Sequence, residues 1–227
     1  MTLRIIATGG TFDKHYDELT GKLGFAESHL PAVLARTRMT VPVALETLPL
    51  LDSLDMQDAD RQRVLASCRA AGEKAIVIVH GTDTMPETAQ VLGAAALGQT
   101  IVLTGAMIPY EIANSDALFN LGLACGVAQT LPPGVYVAMN GQVFAWDNVR
   151  KNRAAGVLGP AALGKTIVFT GAMIPYEIDN SDAFFNLGFA TAAAQILAPG
   201  VYVAMNGQVF GWDNVTKNRA AGVFQPL

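Results

Sequence analysis

Cysteine, histidine and charge are all scarce in this chain. Its 227 residues include two cysteines and three histidines, and only 15% are charged, where an average globular chain carries about 25%. Cys68 and Cys125 cannot staple a fold of this length and neither belongs to a C-x-x-C pair, which points to a reducing, cytoplasmic setting. His15, His29 and His80 are spread along the chain, so no zinc-ligand spacing is legible and no metal or organic cofactor is expected. The net charge is -4 and no basic run exceeds Arg150-Lys151, which removes the footprint of a nucleic-acid binder. No stretch reaches the roughly 18 uninterrupted apolar residues of a membrane helix. The short apolar segment after Arg4 is too brief for a signal-peptide core.

What the chain does have is apolar surface and a repeat. Hydrophobic residues make up 51%, a surplus that burial or self-association must absorb, so a homo-oligomer is expected. Residues 91–156 align without a gap to residues 157–222, differing at 13 of 66 positions. Two copies are too few for a solenoid, which needs about three stacked units. The pattern reads instead as a duplicated half-domain: an α/β domain over residues 1–156, then a second copy with a short tail over 157–227. The second copy would pack on the first or exchange with that of another chain. Charge follows the same division, with 21 charged residues in the first 90 and 13 in the remaining 137, so the duplicated region reads as core or interface. Leu103, Leu118 and Leu123 become Phe169, Phe184 and Phe189 in the second copy, which keeps its core character.

Continuous apolar runs at Leu3–Thr8, Lys74–His80, Thr100–Thr104 and Val135–Met139 read as buried strands, with a further strand at Thr40–Leu45. They alternate with helices predicted at Asp58–Ala71, Glu87–Leu97 and Asn114–Gln129, the second opened by a Thr84/Glu87 capping box. Residues 12–29 are charged and aperiodic, and read as a mobile loop or hairpin. This order implies an α/β fold with a doubly wound, mostly parallel sheet, a Rossmann-like or flavodoxin-like three-layer arrangement with a duplicated βαβ half. Such sheets bind ligands beyond the carboxyl ends of their strands. Two strand ends carry threonine-rich turns, TGGT (Thr8–Thr11) and GTDT (Gly81–Thr84).

A hydroxyl nucleophile needs a backbone that presents it, amide groups for an oxyanion and a base for its proton. These turns supply such parts, although a tight strand-to-loop turn explains TGGT and a helix cap explains Thr84 equally well. The combination is more specific. TGGT, SLDM (Ser53–Met56), HGTDTM (His80–Met85), TGAMIP (Thr104–Pro109), NSDALFNL (Asn114–Leu121) and DNVRKN (Asp147–Asn152) occur in that order. Together they resemble the amino-terminal domain of the bacterial L-asparaginase family, over about the first 156 residues.

The resemblance implies an L-asparagine amidohydrolase, with L-glutamine as a competing substrate and no cofactor. Thr11 matches the family's nucleophile, Thr82 and Asp83 the threonine and acid that assist proton transfer, and Ser53 a binder of the substrate carboxylate. Asp83 also holds the substrate's amino group, and Tyr16 is matched to the loop tyrosine. Lys151 and its copy Lys217 both match the lysine that completes the Thr-Asp-Lys set, with Lys151 preferred. Leu54 stands where the family often has glutamine. The match implies a short form without the family's carboxyl-terminal domain. The alternative is a noncatalytic amino-acid-binding or assembly protein on the same fold, with the duplication displacing the catalytic geometry.

Overall fold

The computed structural model describes residues 1–149 and 166–227. In chain order its strands and helices are β1 (Leu3–Gly9), β2 (Lys14–Asp17), β3 (Lys22–Phe25), α1 (Leu30–Thr37), β4 (Val43–Leu51), α2 (Asp58–Ala70) and β5 (Ala75–Val79). There follow α3 (Met85–Ala94), β6 (Thr100–Thr104), α4 (Ala117–Thr130), β7 (Gly134–Met139) and β8 (Gln142–Ala145). The second copy holds β9 (Thr166–Phe169), α5 (Ala183–Ile196), β10 (Gly200–Met205) and β11 (Gln208–Gly211), and the chain ends in β12 (Thr216–Asn218) and β13 (Val223–Gln225).

Six strands form one sheet in the order β4-β1-β5-β6-β7-β8, parallel except for β8. The parallel strands obey period two within fully buried runs. Ile5, Val77 and Val102 face a core built with α1 and α4, whereas Ile6, Ile76, Ile78, Ile101 and Leu103 face a second core with α2 and α3. Helices on both faces make the three-layer arrangement expected from the strand-helix alternation. The chain turns back at β1, which lies between β4 and β5, so the carboxyl ends of β1 and β5 border the crevice where strand order reverses.

Several local readings change. The helix expected from Asn114 begins at Ala117, because Asn114 has φ +63° and Asp116 occupies the N-cap. The strand expected at Thr40–Leu45 is β4, starting at Val43 and running to Leu51. Thr84 does not cap α3: its hydroxyl donates to the Ser53 carbonyl at 2.7 Å. A capping box closes α2 instead, between Gln57 and Asp60. Residues 159–166 (GPAALGKT) spell the phosphate-loop pattern, of which only Thr166 is among the described residues, and it opens strand β9 where that motif would open a helix.

The second copy forms its own three-stranded sheet, β11-β10-β9, and joins the first through helix packing. Helix α4 is buried nearly all round because the main sheet covers one side and α5 the other. Glycines permit backbone contact at this seam. A Cβ on Gly122 would overlap the Phe185 carbonyl, and one on Gly188 would overlap the Phe119 carbonyl. Gln129 donates to the Gly207 carbonyl at 3.0 Å, and Gln195 to the Gly141 carbonyl at 2.6 Å. Each pair of contacts exchanges residues 66 apart, so the copies meet as the halves of an isologous dimer do, within one chain.

The enlarged phenylalanines do not all stay in the core. Phe189 is buried, but Phe184 is 36% and Phe169 61% exposed, and Ile167 is 51% exposed where Ile101 is fully buried. Helices α2 and α3 cover Ile101 and Leu103, the counterparts of Ile167 and Phe169, in the first copy, and they come almost entirely from residues before the repeat.

Gly122→Val should therefore lower stability by about 1–3 kcal/mol or more, as overpacking against backbone does. Gly72→Ala, with nothing within 4 Å of its Cβ position, should stay within about 0.5 kcal/mol. Urea unfolding of the two variants decides, and equal midpoints would remove the seam as a source of stability.

Candidate active site

Three loops meet at the carboxyl ends of β1, β4 and β5. The Thr8 hydroxyl donates to the Val79 carbonyl at 2.9 Å, tying the ends of β1 and β5. Gly10, at φ +76°, donates its amide to the Leu51 carbonyl at 2.9 Å. A Cβ on Gly10 would overlap the backbone of Gly81, and one on Gly81 would stand 2.6 Å from both Cβ and Oγ of Ser53. Only residues without side chains allow this approach. The result brings Thr11, Ser53 and the Thr82-Asp83 pair into one loop cluster.

Within it, Thr11 opens a short 3-10 turn (Thr11–Asp13) and is half-buried. Ser53 is 1% exposed, and its buried Oγ has no hydrogen-bond partner among the described residues. Thr82 and Asp83 are half-buried, and Thr82 Oγ1 contacts Met107 Sδ at 3.7 Å. Met107 belongs to the TGAMIP loop, whose shape is held by Asp116. That carboxylate accepts the amides of Met107 at 2.9 Å and Ile108 at 3.0 Å, and the Asn120 amide bridges it to the Gly105 carbonyl. Asp182 and Asn186 build the same network in the second copy, so TGAMIP and NSDALFNL carry loop geometry.

Other expected residues lie elsewhere. Tyr16 is on β2, 55% exposed, with its hydroxyl beside Gly21 at the tip of its own hairpin. Lys217 is on β12, with its ammonium 5.7 Å from the Phe224 ring centre. Lys151 lies outside the described residues. Leu54 is 63% exposed.

The sequence reading missed several polar groups at these loops. Lys14 pairs with Asp52 at 2.6 Å, and this contact holds the Asp52 carboxyl below its ordinary range. The signal was there: Lys14 is three residues past Thr11 and Asp52 adjoins Ser53. His80 is fully buried between the loop and α3, with Nδ1 donating to the Gly81 carbonyl at 2.7 Å and Nε2 accepting from Thr88 Oγ1 at 2.9 Å. Burial pushes its pKa down to about 4. His15 and His29, fourteen residues apart in sequence, lie with ring centres 3.9 Å apart and planes tilted by 36°, beside Glu111. Burial and the neighbouring His15 lower the His29 pKa, while burial raises that of Asp13, whose Oδ1 accepts from Ser28 Oγ and the His29 amide. Both cysteines are buried free thiols, and burial pushes Cys68 up to about 12, so neither is a nucleophile.

The family model "Asparaginase, N-terminal" matches residues 2–159 and again 157–224. The L-asparaginase of Thermococcus kodakarensis is 32% identical over 163 residues, covering 69% of this chain and 49% of that protein. L-asparaginase 1 of Escherichia coli K12 is 30% identical, covering 68% and 48%. The chain thus spans about half the length of these relatives. The crystal structure of L-asparaginase I from Vibrio cholerae superposes with a TM-score of 0.60 at 23% identity, over 77% of this chain and 65% of that one.

The His80 environment generates a pH dependence. An unfolded imidazole titrates near 6.5 and the folded one near 4, so on acidification the unfolded state takes up the proton first. Stability should fall as pH drops from about 6.5 toward 4, by about 3 kcal/mol from this residue. His80→Asn, which keeps a donor toward Gly81, should show a shallower decline in denaturant unfolding over that window. Identical slopes would contradict the assignment.

Proposed function

Because the chain belongs to the asparaginase family through its amino-terminal domain, we propose that it is an L-asparagine amidohydrolase with a threonine nucleophile. The observation that carries this reading is the convergence of Thr11, Ser53, Thr82 and Asp83 on loops held together by Gly10 and Gly81. In this reading Thr11 Oγ1 attacks the side-chain amide carbonyl, and the first amides of the 3-10 turn receive the oxyanion. The amide nitrogen takes up a proton and leaves as ammonia. Water then attacks the threonyl ester, releasing aspartate and restoring the hydroxyl.

Ser53 suits the substrate carboxylate because its buried Oγ has a donor to offer and no acceptor among the described residues. Asp83 accepts the substrate ammonium, and Lys151 completes proton transfer through Thr82. The place of Lys217 over Phe224 supports assigning that role to the first copy. L-glutamine is the competing substrate. The exposed apolar residues Ile167 and Phe169 support self-association. Among the described residues no helix is long and apolar enough to cross a membrane.

Ammonia release from L-asparagine by the purified chain tests the reading. Thr11→Ala and Lys151→Met should each lose at least about 100-fold in kcat, with Lys217→Met within about twofold of the parent. Unchanged turnover in Thr11→Ala would refute the nucleophile, and loss confined to Lys217→Met would transfer the lysine role to the second copy. Aspartate binding by a folded chain without turnover would establish the noncatalytic alternative.

A further inference from the structure

A second group of polar side chains converges outside the loop cluster. His15 lies on β2, His29 immediately precedes α1, and Glu111 lies in the loop after β6. One ligating atom from each lies within 4.8 Å of the others, with Glu111 Oε2 3.3 Å from His15 Nδ1 and 3.8 Å from His29 Nε2. We propose that His15, His29 and Glu111 bind one divalent first-row transition ion of the zinc class.

The remaining atoms of each residue are arranged as supports. His15 Nε2 lies 2.8 Å from the Glu27 carbonyl and donates to it, which leaves Nδ1 as the ring nitrogen facing Glu111 Oε2 at 3.3 Å. Such a hydrogen bond on the far nitrogen fixes the tautomer and orientation of a ligating imidazole. His29 Nε2 is buried, has no hydrogen-bond partner among the described residues and faces Glu111 Oε2 at 3.8 Å. The other carboxylate oxygen, Oε1, accepts the Tyr16 amide. His15 and Glu111 are thus held from behind, and each of the three residues turns one atom toward the others.

An ion pair alone explains this less well. At 3.8 Å His29 Nε2 makes no hydrogen bond, and protonating it would leave a buried donor unsatisfied beside a second imidazole at 3.9 Å. A cation turns that orphaned nitrogen into a ligand. Tetrahedral zinc with bonds of about 2.0–2.1 Å separates its ligands by about 3.3 Å, the spacing already present between His15 and Glu111. His29 Nε2, now 3.8 Å from Glu111 Oε2, would close by about 0.5 Å on that oxygen through side-chain torsions. Two imidazoles and a carboxylate suit Zn2+ or Co2+ rather than Mg2+ or Ca2+, and leave a fourth position to water. The ion would tie the β2–β3 hairpin to the loop that carries Met107.

The test uses the full chain, stripped with a chelator and titrated with Co2+ alone, followed by visible absorption. One equivalent should bind with the intense bands of a low-coordinate site, and Zn2+ should displace it. His15→Gln and Glu111→Gln, each confirmed as folded by circular dichroism, should weaken binding at least about tenfold. Thr11→Ala should bind as the parent does, which separates this proposal from the proposed hydrolysis. Imidazole NMR of the unaltered chain gives the same answer without substitution: Co2+ should shift the His15 and His29 resonances and spare His80. No saturable binding, binding unchanged in both variants, or shifts confined to other residues would overturn the proposal.

Discussion

Backbone contact between Gly10 and Gly81 is the constraint on which the loop cluster depends. Strands β1 and β5 are neighbours in a parallel sheet, and their outgoing loops separate at the point where strand order reverses. Ordinary side chains there would hold the loops apart. With glycine at both positions the backbones touch, Gly81 seats against Ser53, and the Thr84 hydroxyl is drawn to the Ser53 carbonyl instead of capping α3. The same approach buries His80 beneath the loop, where it stays neutral and hydrogen bonded at both nitrogens.

The duplicated segment shows how far one sequence carries its own packing. Both copies rebuild the same strand, helix and carboxylate-held loop, because those contacts are internal to the 66 residues. What surrounds them differs. The first copy continues the main sheet beside β5 and receives α2 and α3 on its second face, whereas the second has neither β5 nor those helices. Near-identity has a further effect, since α4 and α5 offer each other equal glycine surfaces and meet by exchanged contacts. A helix with no polar side is thereby buried on both sides within one chain.

Charge is sparse, yet much of it gathers at the loops. Lys14 and Asp52 link the turn after Thr11 to the segment holding Ser53, while His15 and Glu111 link the hairpin to the loop after β6. The partly buried Lys14–Asp52 pair orients its loop more than it adds to overall stability. The hairpin therefore sits between two polar groupings, one at its root and one along its first strand.

The strands, the helix alternation and the chemistry-bearing motifs were legible because each is a local pattern: an apolar run, a glycine-threonine turn, a repeat at constant offset. Boundaries were less so, since Asn114 adopts a left-handed conformation and Asp116, at the N-cap position, gives its carboxylate to the amides of Met107 and Ile108 rather than to the helix. The exposure of Phe169 could not be read from its hydrophobicity, because burial depends on covering helices that the repeat does not include. The pairing of His15 with His29 was equally hidden, for no linear spacing encodes a contact made by a hairpin folding back toward α1. By itself the sequence determined the alternation of elements, the residue types at the strand ends and the doubling of the half-domain, all properties of neighbours along the chain. Tertiary structure alone decided which loops touch, which copy joins the main sheet and which polar atoms are left facing one another, because those depend on distances between segments that only packing sets.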